Sequence, residues 1–230
     1  MKKKKQTNHT FDHDNRMRYI NPVLVIPRPP ARIIPGAVHL PAFFTPAEQE
    51  ELVSQARELA RKAAGTPVAM RRPKVGHGQM DAWLLSLGWF WATNPYRMVR
   101  EVDGHPVPPI PENFQAIADN VMAKARELDP LVGPTPKIET ALVNFYPPGK
   151  GMGQHVDAEE ESENAVVSLS FGQDTIFRIA GRDTLLLSGD VVVFGGPARR
   201  AKHGVLGARK GTSDLLDGRL NITMRQMEAT

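Results

Sequence analysis

The sequence predicts an α+β protein in which helices cover one outer face of an antiparallel β structure, a sandwich or small barrel. Three observations lead there. Two amphipathic segments with helix signals come first. From Lys137 onward the apolar residues fall instead into short runs at strand spacing. Gly, Asp and Pro separate those runs at close intervals. Helices first and strands afterwards places the helices together on one side of the sheet.

At 230 residues, 41% of them apolar, the chain suits one well-buried domain. Residues 1–35 stand apart as a basic, proline-punctuated arm. Lys2 to Lys5, Arg16, Arg18, Arg28 and Arg32 concentrate positive charge there, in a chain of net charge +4. The arm reads either as a solvated tail or as a contact for a polyanion, and "NPVLVIPRPPARIIPG" closes it as an extended lead-in strand. The opening lysines precede no apolar signal core, and no run approaches the roughly 18 residues of a membrane span. A soluble protein without membrane contact is expected. The absence of cysteine excludes disulfides, Cys-ligated zinc, Fe–S clusters and a Cys nucleophile, and fits a reducing cytoplasm.

The first helix begins at "TPAEQEELVSQARELARKAAG". Thr45 is its N-cap, Pro46 suits the first helical position, Glu48 completes a capping box, and Gly65 ends it. Leu52, Ala56, Leu59 and Ala63 form the buried stripe. A second helix follows Pro111, with Phe114, Ile117, Val121, Ala125 and Leu128 at helical spacing. Residues 66–110, between the helices, hold all three tryptophans and read as loops and hairpins.

The strands are "KIETALVNFY", "AVVSLSFG", "DTIFRIAG", "TLLLSGDVVVFGG", "HGVL" and "RLNITMRQ". In the last, Arg219, Asn221, Thr223 and Arg225 share one face, and Leu220, Ile222 and Met224 the other. The apolar face belongs against the helices. The polar face then points into the barrel, where two arginines are costly unless an anion meets them. An outward-facing polar strand is the plainer alternative. Asn144 and Tyr146 alternate in the same way, and His155 and Asp157 are also two apart.

Two imidazoles and one carboxylate on one face of an octahedron hold a first-row metal and leave positions for a chelating cosubstrate and O₂. His155 and Asp157 offer two such ligands from one edge. His203, 48 residues on in "ARRAKHGVLG", is the candidate third. A bare H-x-D is most often a surface feature. The set of H-x-D, distant His and two arginines six apart is far more specific.

In order along the chain, "NFYPPGKGMGQHVD", "VVSLSFG", "GDVVVFGG", "KHGV" and "RLNITMRQ" resemble the AlkB family of Fe(II)- and 2-oxoglutarate-dependent dioxygenases. The resemblance covers residues 140–226 and extends loosely upstream through "LGWFWATNPY" and "PIPENF". It implies a double-stranded β-helix (jelly roll) with flanking N-terminal helices and a substrate-binding lid. A dioxygenase domain would span 36–230, its lid about 66–110 and its barrel about 137–227. His155, Asp157 and His203 would ligate the iron. The far carboxylate of 2-oxoglutarate would meet Arg219, with Arg225 near the C1 end and Asn144, Tyr146 and Asn221 adding hydrogen bonds. Trp89 and Tyr96 would lie in the lid and stack on an extruded base, Glu159 and Arg182 would touch substrate, and Trp83 and Trp91 would pack lid against barrel. The implied activity is oxidative demethylation of N-alkylated bases in DNA or RNA by a monomeric, cytoplasmic enzyme. It consumes 2-oxoglutarate and O₂ and releases formaldehyde, succinate and CO₂.

The barrel motifs serve the cosubstrate, so a dioxygenase acting on a protein or small molecule is the first rival. A metal-holding barrel without turnover would not need Arg219 and Arg225. A hydrolytic zinc enzyme lacks an evident general base beside the metal.

Overall fold

The computed structural model describes residues 27–76, 78–93, 95–158 and 160–229. The expected basic arm lies outside the described residues as far as residue 26. Its end is β1 (Ala31–Ile34), hairpin-paired with β2 (Ala37–Leu40) through Gly36 at φ +81°. α1 (Pro46–Ala63) starts as its capping signal requires. Thr45 accepts from the Glu48 amide, and the Glu48 carboxylate takes the Thr45 amide at 2.7 Å. Such a cap contributes about 1 kcal/mol. α1 buries Leu52, Val53, Ala56 and Ala63; Leu59 is only partly covered.

The region between the helices is a series of short antiparallel pairs. β3 (Lys74–Val75) pairs with β4 (Gly78–Gln79), β6 (Phe90–Thr93) with β7 (Tyr96–Val99), and β8 (Glu101–Val102) with β9 (His105–Pro106). β5 (Trp83–Leu87) departs from the expected lid: it joins the main sheet as an edge strand beside β10 (Thr140–Tyr146). Leu85 and Leu87 point to the helix side and Leu84 and Ser86 to the interior, so the strand has two usable faces. α2 (Asn113–Leu128) buries Phe114, Ala118, Val121, Met122 and Ala125. Ile117 sits at the edge of that stripe, and Leu128, the final residue, is exposed beyond it.

The remaining strands are β11 (Met152–His155), β12 (Val166–Gly172), β13 (Thr175–Ile179), β14 (Arg182–Leu186), β15 (Asp190–Phe194), β16 (His203–Val205) and β17 (Arg219–Arg225). They complete a seven-stranded antiparallel sheet, in the order β1-β2-β15-β12-β17-β10-β5, and a four-stranded one, β11-β16-β13-β14. Both helices pack on the outer face of the large sheet. Leu220, Ile222 and Met224 of β17 join Val53, Phe114 and Met122 in that core. A fully buried Phe or Met contributes roughly 1.5–3 kcal/mol each, so this layer anchors the sheet. Phe177, Ile179 and Leu186 of the small sheet meet Val166, Val192 and Phe194 of the large one in a second core between the sheets. The two sheets face each other as a jelly roll, and their inner faces bound a cavity of about 380 Å³ lined by polar and apolar side chains.

Candidate active site

Glycine sets the positions of the two histidines. A Cβ on Gly151 would lie 2.4 Å from the Val205 carbonyl oxygen, and one on Gly204 would lie 2.7 Å from that of Met152. Only bare backbone fits there, and it lets β11 and β16 close with His155 opposite His203. The imidazole centroids are 4.5 Å apart. Asp157 Oδ1 is 3.5 Å from His155 Nε2 and 3.8 Å from His203 Nε2. One ligand atom from each of the three residues lies within 4.8 Å of the others, the spacing of a metal-binding group.

The hydrogen bonds at Nδ1 leave both Nε2 atoms free to face a cation. Nδ1 of His155 lies 3.0 Å from the Gly153 carbonyl, and Nδ1 of His203 lies 3.0 Å from that of Ala201. A carbonyl only accepts, so Nδ1 carries the hydrogen in each ring and Nε2 presents its lone pair to the cavity. Burial works to raise the Asp157 carboxyl, but Arg225 and the two imidazoles outweigh it and hold Asp157 ionised far below the usual carboxylate range. Burial lowers His203; for His155 it is outweighed by the adjacent Asp157 carboxylate and the Gly153 carbonyl, and the net shift is upward.

A second polar group lies deeper, on β10, β12 and β17. Asn144 Nδ2 donates to Asn221 Oδ1 at 3.1 Å, and Asn221 Nδ2 donates to Ser168 Oγ and the Leu169 carbonyl, each at 2.8 Å. Arg219 is buried and donates through Nε to Ser170 Oγ at 3.0 Å. Its Nη1 and the Oδ1 of Asn144 are buried with no hydrogen-bond partner among the described residues. Burial pushes the neighbouring Tyr146 phenol up against the pull of Arg219. A cavity presenting an unsatisfied guanidinium N–H is built for an anion. Arg225 lies nearer the ligands, with Nη1 3.5 Å from Asp157 Oδ2.

The sequence profile of the 2OG-Fe(II) oxygenase superfamily matches residues 36–225. The "Alpha-ketoglutarate-dependent dioxygenase AlkB homolog" of Caulobacter vibrioides is 34% identical over 211 residues, covering 86% of this chain and 90% of that protein. The chain belongs to the AlkB family. Escherichia coli "Alpha-ketoglutarate-dependent dioxygenase AlkB" is 29% identical over 83% of this chain and 90% of its own. The solved structure of OsALKBH1 superposes with a TM-score of 0.76 at 25% identity, covering 86% of this chain and all of that one. As a family member the protein is an Fe(II)- and 2-oxoglutarate-dependent dioxygenase, and the residues fit both groups. The His-Asp-His donor set suits Fe(II), and the unpartnered Arg219 Nη1 suits a dicarboxylate.

The AlkB fold brings His155, Asp157, His203, Asn144, Tyr146, Arg219, Asn221, Arg225 and Tyr96 to one cavity. Of the other expected substrate residues, Trp89 and Arg182 do not line it. Trp89 lies outside the cavity lining with the Arg100 guanidinium 4.1 Å over its ring. Trp91, expected to be packing, lines the cavity instead and meets Tyr96 edge-on at 5.9 Å. Trp83, also expected to pack, is 43% exposed on the edge strand. Arg182 is exposed at the start of β14, an edge of the small sheet, away from the cavity. Glu159 lies outside the described residues. Sequence reasoning missed Ser168 and Ser170, whose period-two spacing in "VVSLSFG" was the available signal. It also missed Glu160, for which the Arg199–Arg200 pair ahead of His203 was the hint.

Proposed function

We propose that the protein is an oxidative demethylase of N-alkylated bases in DNA or RNA. The observation that carries this reading is the aromatic pair Trp91–Tyr96, which lines the same cavity as His155, Asp157 and His203. A flat ring entering there stacks on aromatic surface with its N-alkyl group toward the histidines. The names of the Caulobacter and E. coli relatives give the cosubstrate, and an Arabidopsis relative 30% identical is named as a DNA N(6)-methyladenine demethylase.

In this reading His155, Asp157 and His203 hold Fe(II), which with 2-oxoglutarate and O₂ supplies the oxidising power for hydroxylating an N-methyl carbon. Arg219 neutralises the far carboxylate of the cosubstrate, and Tyr146, Asn144 and Asn221 orient it through hydrogen bonds. Arg225 serves the C1 end. Met80 and Met98 join Trp91 in the lid wall and exclude water from the reacting methyl group, with side chains that adapt to differently shaped adducts. The hydroxymethyl product on nitrogen loses formaldehyde and restores the base. The catalytic unit acts as a monomer and includes β1 and Arg28, which are tied into the large sheet, while the basic residues ahead of them, Lys2 to Lys5, Arg16 and Arg18, contact phosphates. A cysteine-free chain suits the reducing cytoplasm.

The test is anaerobic purification followed by Fe(II), 2-oxoglutarate, O₂ and a panel of methylated oligonucleotides, with products weighed by mass spectrometry. Loss of a methyl mass with formaldehyde release is the expected result. Cosubstrate binding with no demethylation of any oligonucleotide would favour a protein or small-molecule substrate.

A further inference from the structure

The loop after Asp157 carries the run "AEEESE", which reads in sequence as a solvated acidic turn. Glu160 within it has no exposed side-chain surface. Its Oε1 accepts a charge-assisted bond from Arg225 Nη1, and its Oε2 lies 3.2 Å from Arg199 Nη2. The same Arg225 nitrogen lies 3.5 Å from Asp157 Oδ2. One guanidinium nitrogen thus stands between two carboxylates, one of which belongs to the metal-binding group.

The far side of Glu160 is fixed. Arg199 is itself buried, and it donates to the carbonyls of Asn164, Ser162 and Asp157 at 2.9, 3.4 and 3.5 Å. Arg200 donates to the carbonyls of Asp157 at 2.6 Å and of Glu160 at 3.1 Å. The segment leading to His203 therefore holds the loop that carries Asp157. Burying two arginines and two carboxylates is no better for stability than apolar packing of the same volume, so stability alone does not account for the arrangement. Removing Glu160 leaves Asp157 as the anion nearest to Arg225. The guanidinium would then close on Asp157 Oδ2 and turn the carboxylate, whose Oδ1 faces the two histidines, away from the metal-binding position.

We propose that Glu160 is a positioning residue: it holds Arg225 away from Asp157 and in place for the C1 end of 2-oxoglutarate. This rests on the roles given above to Asp157 and Arg225. Groups that orient metal ligands from behind change metal affinity by about 10- to 100-fold when removed. Glu160→Gln is therefore expected to weaken both Mn(II) binding and 2-oxoglutarate binding to the Mn(II)-loaded protein by about tenfold or more.

The experiment measures both affinities by calorimetry on wild type, Glu160→Gln, Arg225→Gln and the double variant, with thermal unfolding of each. Because Glu160 acts through Arg225, the second substitution should add little to the 2-oxoglutarate defect of Arg225→Gln. Wild-type 2-oxoglutarate affinity in Arg225→Gln overturns the role of Arg225 and the inference with it. A defect in Arg225→Gln but none in folded Glu160→Gln overturns the inference alone, as do strictly additive effects. Where Glu160→Gln does not fold, Glu160→Asp keeps the buried charge and withdraws it by one methylene. Weakened binding is expected there too, and wild-type binding by that variant overturns the proposal.

Discussion

The Arg219 guanidinium lies 5.2 Å from the centroid of the Tyr146 ring, and the two residues face each other in register across β10 and β17. Ser170 takes one nitrogen of that buried cation, and Nη1 is left without a partner. The two histidines and this cation sit on opposite sheets, so a dicarboxylate bound between them would be gripped from both sides.

Arg219→Met is expected to raise the 2-oxoglutarate requirement about ten- to a hundredfold, since a charge-assisted bond to a buried anion is worth roughly 1.5–3 kcal/mol. The rise in unfolding temperature that 2-oxoglutarate gives the Mn(II)-loaded wild type should shrink accordingly. Thermal shift and turnover at graded 2-oxoglutarate check both. Unchanged dependence would sink the assignment.

His155→Ala, Asp157→Ala and His203→Ala are each expected to abolish turnover while leaving the circular dichroism spectrum unaltered. The three side chains line a cavity framed by two independently packed cores. Near-normal activity of any one at saturating Fe(II) removes that residue from the ligand set.

Trp91→Ala is expected to slow demethylation of an oligonucleotide by the equivalent of roughly 1–3 kcal/mol of lost stacking. Trp89→Ala should change it far less, because Arg100 already covers that ring. Single-turnover kinetics on one methylated oligonucleotide compare the two, and a larger effect from Trp89 would reverse the assignment.

Deleting residues 2–18 is expected to weaken nucleic-acid binding and to flatten the log–log dependence of affinity on salt, as Lys2 to Lys5, Arg16 and Arg18 are lost. Salt titrations of binding to an unmodified oligonucleotide measure the slope. An unchanged slope makes the arm a spectator.

Asp190 is fully buried and accepts from Arg28, from His39 and from the amides of Ala42 and Leu187. Burial works to raise its carboxyl, but these donors outweigh it and hold the folded value below the ordinary one. The stability it contributes is thus present above the unfolded carboxylate value and is lost as pH falls through the folded one. Asp190→Asn is expected to cost about 3–5 kcal/mol at pH 7. Urea unfolding at neutral pH and below about pH 4 should show the gap to wild type narrowing. A gap independent of pH would remove the charge from the account.

The strand pairs Asn144 and Tyr146, and Arg219 and Arg225, were legible in the sequence because side-chain alternation is a local property of extended backbone, whereas Asp157 lies in the loop just past the end of β11. The capping box at Thr45 and Glu48 was legible for the same reason, since its partners lie within one helical turn. Trp89 and Trp91 share a parity, so alternation cannot separate them. The β6–β7 hairpin does, turning Trp91 to the cavity beside Tyr96 and leaving Trp89 to Arg100. β5 reads locally as one more lid segment, and only pairing with β10 makes it part of the large sheet. Glu160 sits among acidic neighbours and carries no local sign of burial. A carboxylate is held inside only where cations meet it, and Arg225, 65 residues further along, reaches it once β17 has folded into the sheet. By itself the sequence determined which faces are polar and which apolar; the tertiary structure decided which of those polar groups meet, because charge pairing acts through space between residues far apart in the chain.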